Sequence, residues 1–166
     1  MRTLIIYKSK YGSTKQYAQW IHDEIESDIV SVNDKKKLNF DEYDNIIFAS
    51  YFYVYLVAIA PFIIRNWKKI KDKRIVLITT SGTPPDDAVM EGRYKLSFPK
   101  RIANSMTYFP LDGRIDRGKI KIFDKFSLMM GVVIERDPAI KKRMRVGFDG
   151  VRKENIIPVI ESINRE

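Results

Sequence analysis

The 166-residue chain, 45% apolar and 31% charged, has the size of one domain and enough apolar residues to bury a core. It has no cysteine, which excludes disulfides, thiolate metal sites and a cysteine nucleophile, and its single histidine, His22, leaves no material for a multi-histidine metal centre. The net charge of +9 is held entirely between Arg93 and Arg145, where 14 Lys/Arg stand against 5 Asp/Glu, while the remainder carries 16 of each. Such a segment suits an anionic membrane, an acidic substrate or nucleic acid, or is a solvated surface. No nucleic-acid-binding motif accompanies it, so none is expected as a partner.

Thr3–Tyr7 is a short apolar run and reads as a buried strand. It passes directly into Lys8, Ser9 and Lys10, without the long apolar stretch of a secretory leader. Lys8–Ser13 reads as a loop, and Ser13-Thr14 opens a helix whose Tyr17, Ala18, Ile21 and Ile25 form one stripe. Asp28–Val32 reads as a strand, and Asn33–Tyr43 as a polar stretch with one helical turn. Asn45–Ala49 and Arg74–Thr79 are further continuous apolar strands. Between them a helix is expected from about Val57 to Lys69, with Pro61 near its start. The stretch 46–64 has the length of a membrane span, but Tyr51, Tyr53, Tyr55 and Pro61 divide it into strand, loop and helix. Apolar runs alternating with helices imply a parallel sheet covered on both faces.

Beyond Gly82, Asp86–Asn104 is helical in its later part and Met106–Pro110 starts another strand. Ile120–Glu135 reads as a long helix, Arg145–Val151 as a return to the sheet and Glu154–Ile163 as an amphipathic helix. No linker divides the chain. Residues 112–143 read as a basic helical insertion interrupting the last strand of a single domain spanning 1–166.

The sharpest motif is Ser9-Lys10-Tyr11-Gly12-Ser13-Thr14, between the first strand and the first helix. Free backbone N–H groups and the positive end of the helix can hold a phosphate there. Hydroxyls of Ser9, Ser13 and Thr14 can add hydrogen bonds, and Gly12 lets the backbone turn closely. It is neither a Walker loop nor a Gly-x-Gly-x-x-Gly fingerprint. Read alone, it is equally an ordinary capped helix after a turn.

With its flanks, Tyr7-Lys8-Ser9-Lys10-Tyr11-Gly12-Ser13-Thr14-Lys15-Gln16-Tyr17-Ala18 resembles the FMN phosphate loop and first helix of the flavodoxin superfamily. Asp44–Ser50 resembles the strand delivering that family's second flavin loop. Thr79-Thr80-Ser81-Gly82-Thr83-Pro84-Pro85-Asp86-Asp87 resembles the third loop of the branch containing menaquinone-dependent protoporphyrinogen oxidase. Phe109–Arg114 and the Met-rich helix beyond are similar to that branch's insertion. The resemblance implies a flavodoxin-like, doubly wound five-stranded parallel sheet with helices on both faces, and FMN as cofactor. It implies FMN contacts from Ser9, Lys10, Tyr11, Gly12, Ser13 and Thr14, from Ser50, Tyr51 and Tyr53, and from Ser81, Gly82 and Thr83. No catalytic residue is assigned. The second loop departs from the family: Ala49–Tyr55 contains no glycine where one is usual, so it must take another path or hold the flavin differently.

FMN supplies electron-transfer chemistry, and Tyr51 and Tyr53 are candidates to flank its ring. His22, Trp20 and Trp67 read as structural, Asp86-Asp87 as a helix start, and Lys35-Lys36-Lys37 as an exposed loop. In the helix 120–135, Phe123, Phe126, Met130 and Val133 share a face with Lys121 and Lys125 nearby. That face packs on the domain, rests on anionic lipid or docks a hydrophobic partner. Three functions compete. The first is an FMN-dependent oxidoreductase acting on a quinone, protoporphyrinogen or a similar small molecule. The second is a flavodoxin-type electron carrier docking protein redox partners, disfavoured by the basic charge because carriers of this family are typically acidic. The third is a binding module without flavin. A cysteine-free chain suits the cytoplasm, with peripheral membrane contact through 112–143 as a further expectation.

Overall fold

The computed structural model describes residues 1–34, 38–86 and 88–164. The Lys35-Lys36-Lys37 loop and Asp87 of the Asp86-Asp87 pair lie outside the described residues. Strand β1 (Thr3–Tyr7) leads through the motif loop into helix α1 (Ser13–Glu24), and strand β2 (Ser27–Ser31) follows. A 3₁₀ turn at Phe40–Glu42, capped by Asn39, accounts for the single turn expected in the polar stretch. Strand β3 (Asn45–Tyr53) runs four residues beyond the expected Ala49 and folds back as β4 (Leu56–Val57). Helix α2 (Ala60–Ile70) therefore starts three residues later than expected, with Pro61 in its first turn, where no N–H is needed.

Strand β5 (Arg74–Ser81), helix α3 (Ala88–Ser97), helix α4 (Lys100–Ala103) and strand β6 (Thr107–Asp112) complete the sheet. Its order is β2-β1-β3-β5-β6, with every neighbouring pair parallel. This is the expected doubly wound five-stranded sheet, and β4 adds a short antiparallel strand to β3.

Each strand alternates its side chains between two cores. Leu4, Ile6, Ile46, Phe48, Ile75 and Leu77 pack under α2, α3 and α4. Ile5, Ile47, Ala49, Val76 and Ile78 pack under Tyr17, Ala18 and Ile21 of α1 and Ile156, Val159 and Ile163 at the chain's end. Most of these side chains are fully buried, which is why the strands read as unbroken apolar runs. Helix α7 (Ile157–Asn164) closes the second face as expected.

The segment between Asp112 and α7 differs from expectation. Residues 145–151 do not return to the main sheet. Strand β7 (Arg114–Ile115) pairs antiparallel with β8 (Phe148–Asp149) as a separate ribbon. Strand β6 thus remains uninterrupted at the edge and carries Pro110, a residue sheets tolerate at edges. The ribbon closes the neck of an insertion made of helices α5 (Ile122–Ile134) and α6 (Pro138–Val146). The insertion so formed stands beside the carboxyl ends of β1, β3 and β5.

Candidate functional site

Order reversal in the sheet lies between β1 and β3, and open α/β sheets bind ligands outside the carboxyl ends of strands at such a point. A cleft of about 740 Å³ opens there, within the range of small-molecule sites. Three loops line it: Ser9–Thr14 after β1, the β3–β4 hairpin, and Ser81–Thr83 after β5. The α5–α6 insertion supplies the facing wall.

The first loop turns at Gly12, whose φ of 95° is in the region only glycine occupies freely. Gly12 precedes α1, which has no side-chain cap and no acidic residue in its first turn. Its amino-terminal N–H groups and positive dipole end are thus offered to an anion. The Ser9 hydroxyl accepts from Gly12 N at 3.2 Å and holds the turn.

Other motif side chains are used differently from expectation. The Thr14 hydroxyl lies 2.9 Å from the Thr80 hydroxyl and 3.3 Å from the Ser50 carbonyl, so it ties α1 to β3 and β5. Ser50 is fully buried and does not line the cleft; its hydroxyl accepts from Ile59 N at 3.1 Å. It braces the second loop from behind. In the sheet it stands opposite Thr79, one residue before Tyr51 and Thr80, which line the cleft.

Lys10 and Tyr11 reach across the cleft to Asp124 of α5. The Lys10 ammonium donates to Asp124 Oδ1 at 2.7 Å and the Tyr11 hydroxyl donates to Asp124 Oδ2. Lys121 N donates to the Tyr11 oxygen at 3.2 Å. Burial disfavours charge on both partners. The Asp124 hydrogen bond and charge outweigh this at Lys10, whose pKa is held above the usual value. Hydrogen bonds from Lys10 and Tyr11 do the same at Asp124 and hold its carboxyl below the usual range. Burial, then the bond to Asp124, raises the Tyr11 pKa. Lys10 therefore latches the insertion to the motif loop.

The glycine-free second loop is a tight hairpin. Tyr53 pairs with Leu56, leaving Val54 and Tyr55 as a two-residue turn. Val54 has φ 58°, the conformation for which such turns select glycine. Tyr51 and Tyr53, the candidates to flank the ring, line the cleft. Lys10 Nζ lies 4.9 Å from the Tyr53 ring centre, and the Arg93 guanidinium 5.3 Å from that of Tyr55.

In the third loop, Thr83 N donates to the Ser81 hydroxyl at 3.0 Å. Gly113 N donates to the Ser81 carbonyl at 2.7 Å. A side chain at Gly113 would meet that carbonyl at 2.8 Å, so only glycine permits the approach. Among residues not anticipated, Arg93 reaches Thr83 Oγ1 at 3.4 Å, and Leu128, Met130, Ile134 and Met144 form an apolar wall. Asp124 had one signal in sequence: it is the only acid in α5 and stands opposite the apolar face. His22 bonds Ser27 at 3.0 Å, and Trp20 packs edge-on against Tyr17, both structural as expected.

The site fits a flavin mononucleotide in kind. An uncapped helix terminus faces the cleft, and aromatic rings flank an opening with a small-molecule volume. Ser9, Ser13 and Thr14 backbone groups would hold the phosphate, Tyr51 and Tyr53 the ring, and Ser81–Thr83 its polar edge.

Comparison with solved structures gives matches in fold. A flavodoxin from the domain Archaea aligns with a TM-score of 0.50 at 12% identity, covering 99% of this chain and 100% of that one. A flavoprotein in complex with FMN from Lactobacillus acidophilus aligns at TM-score 0.47 and 17% identity, covering 67% and 91%. An FMN-dependent NADH-azoreductase from Bacillus anthracis, in complex with FMN, aligns at 0.46 and 10%, covering 98% and 99%. Comparison with curated proteins finds no match. The flavodoxin domain family model matches residues 4–139, from the first strand through α5 to the start of α6. By that match the chain belongs to the flavodoxin domain family.

Proposed function

We propose that the protein binds FMN in this cleft and is an oxidoreductase for a small apolar ring compound of the quinone or porphyrinogen class. The observation that carries the reading is the lining of the cleft. Its floor has the loops for FMN, and its wall adds Leu128, Met130, Ile134 and Met144 beyond them. An electron carrier needs only an exposed cofactor edge, whereas this wall offers apolar surface to a second small molecule.

When bound, FMN supplies two-electron or hydride transfer. The chain's residues bind and orient. The α1 terminus takes the phosphate, and the hairpin tyrosines flank the ring. The apolar wall excludes water from the reacting face. Arg93 and Arg136 line the cleft without an ion pair among the described residues and suit the carboxylates of a porphyrinogen.

The test is anaerobic stopped-flow mixing of the photoreduced, FMN-loaded protein with a soluble benzoquinone. Reoxidation should saturate with quinone concentration, and Ile134→Asp should abolish saturation while leaving FMN bound. If the quinone reoxidises the reduced protein, and protoporphyrinogen reduces the oxidised protein, only by collision, while one-electron redox proteins are reduced rapidly, the carrier function replaces this one.

A further inference from the structure

Helix α5 leaves an apolar face uncovered. Ile122, Phe123, Phe126, Met129, Met130, Val133 and Ile134 are all exposed, from 45% at Met130 to 86% at Ile122. At 100° per residue they fall within one band about 140° wide with no charge inside it. Monomeric proteins seldom expose so continuous an apolar surface. Val146 of α6 is also 72% exposed.

The charges around this face select its partner. Lys121 just before α5, Lys125 on it, Arg136 in the connection, and Lys142 and Arg145 on α6 are exposed and form no ion pair among the described residues. The acids of the two helices and their connection point elsewhere. Asp124 is held by Lys10 and Tyr11, Glu135 accepts from Arg136 N and Asp137 N, and Asp137 caps α6. The outward field is therefore positive. A second copy would bring two such fields together, and like charges oppose that contact. No helix among the described residues is long and apolar enough to cross a membrane.

We propose that the α5 face docks on the surface of an anionic lipid bilayer, with its aromatic and aliphatic side chains at the acyl boundary and the surrounding cations on phosphate headgroups. The helix lies in the interface and does not span. Met130 and Ile134 belong both to this face and to the cleft wall, so the docked surface is continuous with the cleft. The docking is independent of what the cleft binds.

The test is flotation of the full-length protein with phosphatidylglycerol or phosphatidylcholine vesicles. Binding to phosphatidylglycerol should be strong at low salt, fade at 0.5 M salt and be absent on phosphatidylcholine. Each Lys or Arg near an anionic surface contributes about 1 kcal/mol, so Lys121→Gln with Lys125→Gln should weaken binding roughly 30-fold. Phe123→Ser with Phe126→Ser should remove it without changing the melting temperature, since both side chains are exposed. The absence of cysteine permits a second reading from one introduced thiol. An environment-sensitive dye on Phe126→Cys should blue-shift on vesicles, and the same dye on Asp72→Cys, in the turn before β5 at the amino ends of the strands, should not. Failure to float at low salt, equal flotation on both lipids, or a dimer dissociated by Phe126→Ser without lipid binding would overturn the proposal.

Discussion

Val54 should be a site of stored strain, and Val54→Gly should stabilise the protein. A β-branched residue at φ 58° occupies a region where its Cβ crowds the backbone. Non-glycine residues held there cost about 1–3 kcal/mol. Glycine removes that strain but gives the unfolded chain extra freedom, worth roughly 0.5–1 kcal/mol. The side chain is 58% exposed, so its removal loses little packing. The net gain is about 1 kcal/mol, or about 2–4 °C in melting temperature for a domain of this size. Leu56→Gly is the control, because Leu56 pairs with Tyr53 in regular strand geometry and glycine there weakens the hairpin. Calorimetry of the two variants against the parent measures both signs. A Val54→Gly variant that melts at or below the parent temperature would refute the strained hairpin.

Asp124→Asn should loosen the insertion, since it breaks the charged bonds to Lys10 and Tyr11; amide exchange over 122–134 should rise about 5- to 30-fold at neutral pH for a loss of about 1–2 kcal/mol. The parent latch is full between these limits: the lowered Asp124 pKa means its contribution exists above about pH 4 and is lost as pH falls through the lowered value. The raised Lys10 pKa means the contribution exists below about pH 10 and is lost as pH rises through the raised value, so exchange should climb at both extremes. Burial pushes Tyr94 and Tyr108 up to about 12, against a hydrogen bond from Thr79 at Tyr108. Absorbance titration should find these two of the nine tyrosines last to ionise, and folding stability should decline from pH 10 toward 12 as the unfolded chain ionises first.

The sheet was legible because its strands are buried on both faces. Leu4–Ile6, Ile46–Ala49 and Val76–Ile78 need no partner pattern to declare themselves. The motif loop was legible because Gly12 sits between an apolar run and an amphipathic helix. What sequence could not place was set by tertiary contact. Ser50 looks like a cleft residue but is fully buried, with its hydroxyl on Ile59 N, and the hydroxyl of Thr14, at the cleft, is tied to the Ser50 carbonyl across 36 positions. Asp124 meets Tyr11 across 113 positions, a distance no local period encodes. The β3–β4 hairpin was hidden because its turn lacks the glycine that normally marks one. Phe148–Asp149 has strand character, but its choice of Arg114–Ile115 over the main sheet is a matter of pairing, which two residues do not specify.

The central claim is that the uncapped terminus of α1 holds the phosphate of FMN, and its most direct test is a fluorescence titration of the apoprotein with FMN and with riboflavin. Two or three charge-assisted hydrogen bonds, partly offset by desolvation, should separate the two ligands by about 3 kcal/mol, roughly 100-fold in Kd. FMN should therefore quench at far lower concentration, and Gly12→Val, which cannot hold φ 95°, should remove most of the difference. Equal affinities for FMN and riboflavin would contradict the account.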